Sequence, residues 1–178
     1  GVVGLACGKA GSGLHLLTAT ELGKAKTLAR ELEKTNQERK EIQEETYLEA
    51  ESLMRNERDL ENERVIVLAS EIFHPGVIGI AASKIVDTYH RPTILIALED
   101  GQGKGSGRSI PKFNLFKSFT NCSSHLIQFG GHAYAAGLSI EEENIDAFRD
   151  AINEVGRKFL SDDDLIPELK LDTTLDLS

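Results

Sequence analysis

Three short segments carry residue types able to do chemistry on an anion. The first, GKGSGRS at 103–109, places Gly103, Gly105 and Gly107 at alternate positions around Lys104, Ser106 and Arg108. Residues i and i+2 share one face of a strand, so a hydroxyl donor and a guanidinium fork would point the same way. That pairing suits phosphate, which Arg meets with paired, charge-assisted hydrogen bonds. The segment is neither a Walker A loop nor a dinucleotide fingerprint, because no Gly-Lys-Ser/Thr follows and no helix opens behind it. A flexible hairpin is the competing reading. The second segment, FGGHA at 129–133, offers Gly130, Gly131 and His132 either as a helix C-cap with a core histidine or as backbone amides and an imidazole facing a ligand oxygen. The third, FHPGVIGI at 73–80, puts His74 before a Pro-initiated helix, either as a cap or beside free amides that favour anions.

Charge is distributed to match. The 178-residue chain has a formal net charge of −9, yet residues 101–140 hold no Asp or Glu while carrying Lys104, Arg108, Lys112, Lys117, His125 and His132. Net charge argues against a nucleic-acid partner and its distribution argues for a local anion site. The distribution weighs more, since salt screens distant charge over about 8–10 Å. No two histidines stand at a short metal-ligand spacing. Cys7 and Cys122 form no redox or metal motif and read as reduced thiols of a cytoplasmic protein. There is neither a signal peptide nor an apolar run long enough to span a bilayer. A site that can hold a phosphate without an evident means of cleaving it is a binding site.

The elements that position these segments follow from periodicity. Residues 18–64 read as one long, polar connector helix, opened by a Thr18–Glu21 capping box and striped sparsely by Leu22, Ala25, Leu28, Leu32, Ile42 and Leu53. Pairing of this helix into a coiled coil is disfavoured because Arg39 and Thr46 interrupt the seam. VIVLAS at 65–70 and RPTILIAL at 91–98 are short apolar runs suited to buried strands. With the helix between them they make a βαβ unit. Further expectations are an extended piece ending near Ser109, a helix over 114–129 stopped by Gly130–Gly131, a strand over 133–140 and a helix over about 143–160 that buries Ile145, Phe148, Ile152, Val155 and Phe159. The fold class is therefore α/β, a mixed and mainly parallel sheet with flanking helices. Asp-rich 161–178 reads as a linker.

Taken together and in this order, the three segments resemble the DHH-associated domain of the RecJ family of single-strand-specific exonucleases, over about 65–160. The resemblance implies that 1–17 is the end of a catalytic DHH domain, 18–64 a connector, 65–160 the substrate-binding domain and 161–178 the lead into an OB-fold. It further implies 5′→3′ digestion of single-stranded DNA in repair and recombination, with Mn²⁺ or Mg²⁺ held by DHH residues outside this chain. No membrane is involved. By motif, Ser106 and Arg108, with Gly105 and Gly107, would bind phosphate, Gly130, Gly131 and His132 would form a Gly-Gly-His clamp, and His74 would lie beside them. Two departures stand out. Phe73 occupies a position where the family usually has Trp, and LACGKA at 5–10 leaves Lys9 where a phosphate-binding Arg is expected. Two other readings are a DHH-type phosphodiesterase of short oligoribonucleotides or cyclic dinucleotides, and a scaffold using the charged helix as a partner surface.

Overall fold

A computed structural model describes residues 10–57 and 62–168; Cys7, Lys9 and the end of the acidic tail lie outside these. Helices α1 (Ala10–Leu17) and α2 (Leu22–Glu57) lead into β1 (Ile66–Ser70), α3 (Ile78–Tyr89), β2 (Thr93–Glu99) and β3 (Gln102–Arg108). Then come α4 (Leu115–Asn121), β4 (Gln128–Gly131), β5 (Ala135–Glu141) and α5 (Ile145–Phe159). The five strands form one sheet in the order β1-β2-β3-β5-β4.

The α/β class, the βαβ unit and the long helix stand as the sequence suggests. Within the sheet the balance differs: only β1 and β2 are parallel, and the other three pairs are antiparallel. The reason is the turn at Asp100–Gly101, both at positive φ (51° and 77°), which folds the Gly-rich segment straight back along β2 as a hairpin.

Each face of the sheet has its own core. On one, Ile66, Leu68, Leu95 and Ala97 meet Ile78, Ala81, Ala82 and Ile85 of α3 together with Tyr47, Ala50 and Met54 of α2. On the other, Val67, Ile94, Ile96, Leu138 and Ile140 meet Leu115 and Phe119 of α4 and Phe148, Ile152 and Val155 of α5. The apolar strands β1 and β2 are sandwiched, which is why their sequences show no alternation.

Several boundaries move. Thr18 does not cap α2; its hydroxyl donates to the Leu14 carbonyl, because the residues before it are already helical. Against the sheet, α2 buries Thr46, Tyr47, Ala50 and Met54, so Thr46, read as an interruption, is a contact position. The helix expected over 114–129 ends at Asn121 and gives way to a 3₁₀ turn at Ser123–His125 and then β4. Leu126 and Phe129 still reach the same core, but from an extended chain, so the helical spacing of 115–122 continued by coincidence. Gly130 and Gly131 accordingly lie on an edge strand and cap nothing. Phe159 is 62% exposed rather than core.

Candidate nucleic-acid interface

Strand register sorts the glycines between two faces. Residues paired across antiparallel strands share a face, so Leu95, Ser106, Gly137 and Gly130 form one line across β2, β3, β5 and β4. The flanking lines on that face are Thr93–Arg108–Ala135 and Ala97–Lys104–Ser139–Gln128. Helix α3 lies over β2 and β3 while α2 reaches β1, and beyond them Gly130, Ala135 and Gly137 are exposed. The result is a side-chain-poor floor with a depression of about 500 Å³ bordered by Lys104, Gln128, Gly130, Gly137 and Ser139.

Gly105 and Gly107 face the other way. A Cβ on Gly105 would meet Leu138 at 2.8 Å, and one on Gly107 would meet Leu115 at 3.2 Å. Their lack of bulk admits core side chains, not a ligand, so the expectation that they open the phosphate site is corrected. A methyl on Gly130 would meet nothing within 4 Å. Gly131 has φ 139°, and a Cβ there would lie 2.5 Å from the Ala135 carbonyl oxygen. It is glycine because the hairpin to β5 demands it.

Arg108 and Ser106 do act as a pair. The Arg108 Nη1 group donates to Ser106 Oγ at 3.1 Å and to the Gly107 carbonyl at 2.8 Å. The guanidinium folds over Gly79 in the first turn of α3, where a Cβ would fall 2.7 Å from Nη2 and 2.9 Å from Ser106 Oγ. Partial burial lowers the Arg108 pKa from its ordinary value, and no carboxylate contributes. Arginine stays charged regardless. Among the described residues it makes no salt bridge, whereas Lys112, in the same acid-free window, is held by Asp164 at 2.5 Å.

His132 follows β4 directly. Its amide donates to the Ala135 carbonyl at 2.8 Å, and Ala135 is the register partner of Arg108. The two residues thus flank one position of β5, at the same end of the sheet. The loop between is pinned by hydrogen bonds from Leu115 N to the Ala133 carbonyl and from Ser109 N to the Tyr134 carbonyl. His74 stands apart. Its Nδ1 accepts from the Gly76 amide at 3.0 Å, and the roughly 610 Å³ recess it borders also carries Glu71, Glu99 and Asp100. That bond closes the turn ahead of α3 and does not cap the helix, whose N-cap is Val77 with no side-chain bond, and the carboxylates repel an anion there. Phe73 is buried beside α3, where it packs and cannot stack on a ligand.

Gly79, Ala135 and Gly137 belong to this surface and escaped the sequence reading. The signal for Gly79 was available, since an isolated glycine inside a helical pattern marks a close approach. Among the described residues no group of three or more His, Cys, Asp or Glu could hold a metal, and no helix is long and apolar enough to cross a membrane.

Comparison with known proteins agrees with this architecture. The single-stranded-DNA-specific exonuclease RecJ of Bacillus subtilis is 37% identical over 161 residues, covering 89% of this chain and 20% of that protein. The protein of the same name from Haemophilus influenzae is 40% identical over 161 residues, covering 86% and 28%. The crystal structure of RecJ in complex with Mg²⁺ from Thermus thermophilus superposes with a TM-score of 0.78 at 28% identity, over 89% of this chain and 24% of that one. A structure of exonuclease RecJ bound to manganese gives 0.76 at 30% identity, over 89% and 39%. The chain therefore spans a fifth to just over a quarter of those two curated relatives. Residues 62–158, more than half of the sequence and the whole of the five-stranded sheet, match the DHHA1 domain, and the chain belongs to that family.

Proposed function

We propose that this chain is the substrate-binding part of a RecJ-like 5′→3′ single-stranded-DNA-specific exonuclease of DNA repair and recombination. Arg108 and Ser106 hold a backbone or terminal phosphate, with the Gly130–Gly131–His132 corner closing on the same strand. The observation that carries this reading is a half-buried guanidinium with no acidic partner among the described residues, one edge bonded to Ser106, beside a floor of exposed glycine and alanine. Burial strengthens its pull on an anion by thinning the competing solvent. Residue bulk is absent where a sugar-phosphate chain would run, so the backbone can approach closely. The described residues do not fit a divalent metal, and the metal chemistry of the whole enzyme falls to a DHH domain beyond this chain. What these residues contribute is position and charge neutralisation. By itself the chain binds and does not cut.

The test is titration of 5′-phosphorylated oligo-dT into the 178-residue chain at several salt concentrations. Log affinity is expected to fall linearly with log salt by roughly 0.7 per neutralised phosphate. Arg108→Ala should weaken binding about tenfold, in line with a hydrogen-bonded charge of roughly 1.5 kcal/mol, and remove one such increment of slope. Affinity indifferent to both salt and the substitution defeats the proposal. Stronger binding of two- to four-nucleotide RNA than of the DNA points to the oligoribonucleotide enzyme.

A further inference from the structure

One cation on the face of the phosphate grip has no task in it. Strand alternation puts Lys104, Ser106 and Arg108 of β3 on the same side of the sheet. Of the other lysines in the acid-free window, Lys112 is held by Asp164, and Lys117 rides on α4, which packs on the opposite face. Lys104 is exposed, and among the described residues its ammonium has no ion pair and no hydrogen bond. Two unpaired cations on one face favour an anion long enough to meet both.

The surroundings of Lys104 narrow the ligand. Lys104 is the register partner of Ser139, and Ser139 of Gln128, so the three stand in one line across β3, β5 and β4. Gln128 Nε2 donates to Ser139 Oγ at 3.3 Å, which confirms the shared face and leaves the hydroxyl proton to point elsewhere. An ammonium, a hydroxyl and an amide thus border the depression of about 500 Å³ beside Gly130 and Gly137. All three can donate, and none carries negative charge. Lys104 lies two residues from Ser106, about 7 Å along the strand. A stacked nucleic-acid strand advances about 3.4 Å per nucleotide, and an extended one further. The spacing fits a phosphate one or two nucleotides from the one at Ser106 and Arg108. On its other side Lys104 borders the recess that carries Glu71, Glu99 and Asp100, which closes that direction to a phosphate and leaves the way open across β5 and β4.

We infer that Lys104, with Ser139 and Gln128, forms a second phosphate subsite, taking an internal phosphodiester of the strand whose nearby phosphate Arg108 holds. This rests on the phosphate-grip reading and deepens it: the ligand is an oligonucleotide with at least two phosphates, not a mononucleotide. The experiment titrates 5′-phosphorylated oligo-dT into the 178-residue chain and its Lys104→Ala, Lys104→Arg and Arg108→Ala variants, with thermal melting to check that each is folded. A parallel set of oligomers carries one uncharged methylphosphonate at successive linkages. Lys104→Ala should weaken oligo-dT binding about fivefold and reduce the salt slope by about 0.7, with Lys104→Arg close to wild type. One methylphosphonate position should weaken wild type by a similar factor, cost Lys104→Ala nothing further, and still penalise Arg108→Ala. Such non-additivity marks a direct contact. Equal binding by wild type and Lys104→Ala overturns the subsite while leaving the grip intact, provided Arg108→Ala weakens the oligomer. A scan in which every methylphosphonate penalises both proteins alike overturns it too. If Arg108→Ala is silent and Lys104→Ala is not, the grip fails and the Lys104 contact stands. Binding of oligo-dT by none of the proteins defeats both.

Discussion

At the scale of residues, the contact between Gly79 and Arg108 separates binding from stability. Alanine is a better helix former than glycine by up to about 1 kcal/mol, so Gly79→Ala in α3 should not harm the fold. Its methyl, however, would fall 2.7 Å from Arg108 Nη2 and 2.9 Å from Ser106 Oγ, both ends of side chains able to swing aside. We expect an unchanged or slightly raised melting midpoint and an affinity for oligo-dT reduced about as far as by Arg108→Ala, read by thermal melting and titration of one sample. Unchanged affinity would show that the guanidinium need not rest where it does. The same residues show what the sequence disclosed. The i, i+2 rule placed Ser106 and Arg108 together correctly. It left open which face Gly105 and Gly107 serve, because that depends on which neighbouring strands carry Ile96, Leu138 and Leu115.

At the scale of elements, legibility followed burial. β1, β2 and α3 were readable because continuous apolar runs and a 3.6-residue stripe have few other solutions. The segment after Asn121 was not, since residues from a helix and from an edge strand fill one core with indistinguishable spacing. Nor was the seam between α5 and β1, which two polar side chains close: Arg149 Nε donates to the Val67 carbonyl at 3.2 Å, and Asn153 does more. Asn153 is 4% exposed; its Oδ1 accepts from the Arg64 and Val65 amides at 2.8 and 3.0 Å, and its Nδ2 donates to the Val65 and Arg149 carbonyls. It caps the entrance of a buried strand from the flank of a helix. Asn153→Ala would orphan buried backbone groups at a cost of about 2–3 kcal/mol. The midpoint should drop by roughly 5–10 °C. A drop under about 2 °C would show that water replaces the amide without loss.

At the scale of the whole molecule, the acidic tail packs Leu165 on the core and is fastened by two ion pairs. Arg64 meets Asp162 at 2.5 Å, and Lys112 meets Asp164 at 2.5 Å. The Lys112 ammonium and hydrogen bonds from Ser161 hold the Asp164 carboxyl down at about 2, and Asp164 in turn raises Lys112. A depressed carboxyl contributes fully above its unfolded value and loses that contribution as pH falls towards about 2. A raised ammonium contributes below its unfolded value and loses it as pH rises through the folded one. Docking of 161–166 should thus persist through neutral pH and weaken at both extremes. Hydrogen exchange of the Ser161, Leu165 and Ile166 amides would report it, and Asp164→Asn should raise their exchange at pH 7. Exchange unaffected by that substitution would show the ion pair to be incidental.

The opposite end of the molecule is fixed differently. The last turns of the 36-residue α2 are embedded in the α3-side core through Tyr47, Ala50 and Met54, and Lys84 of α3 lies 3.6 Å over the Tyr47 ring while pairing with Glu44. With its root so anchored, a rod about 54 Å long behaves as a lever. Each residue inserted into its free stretch would swing whatever α2 carries at its far end by about 100° and carry it about 1.5 Å further out. Spacing and azimuth are thereby written into the count of residues, so the helix serves as a ruler as much as a tether.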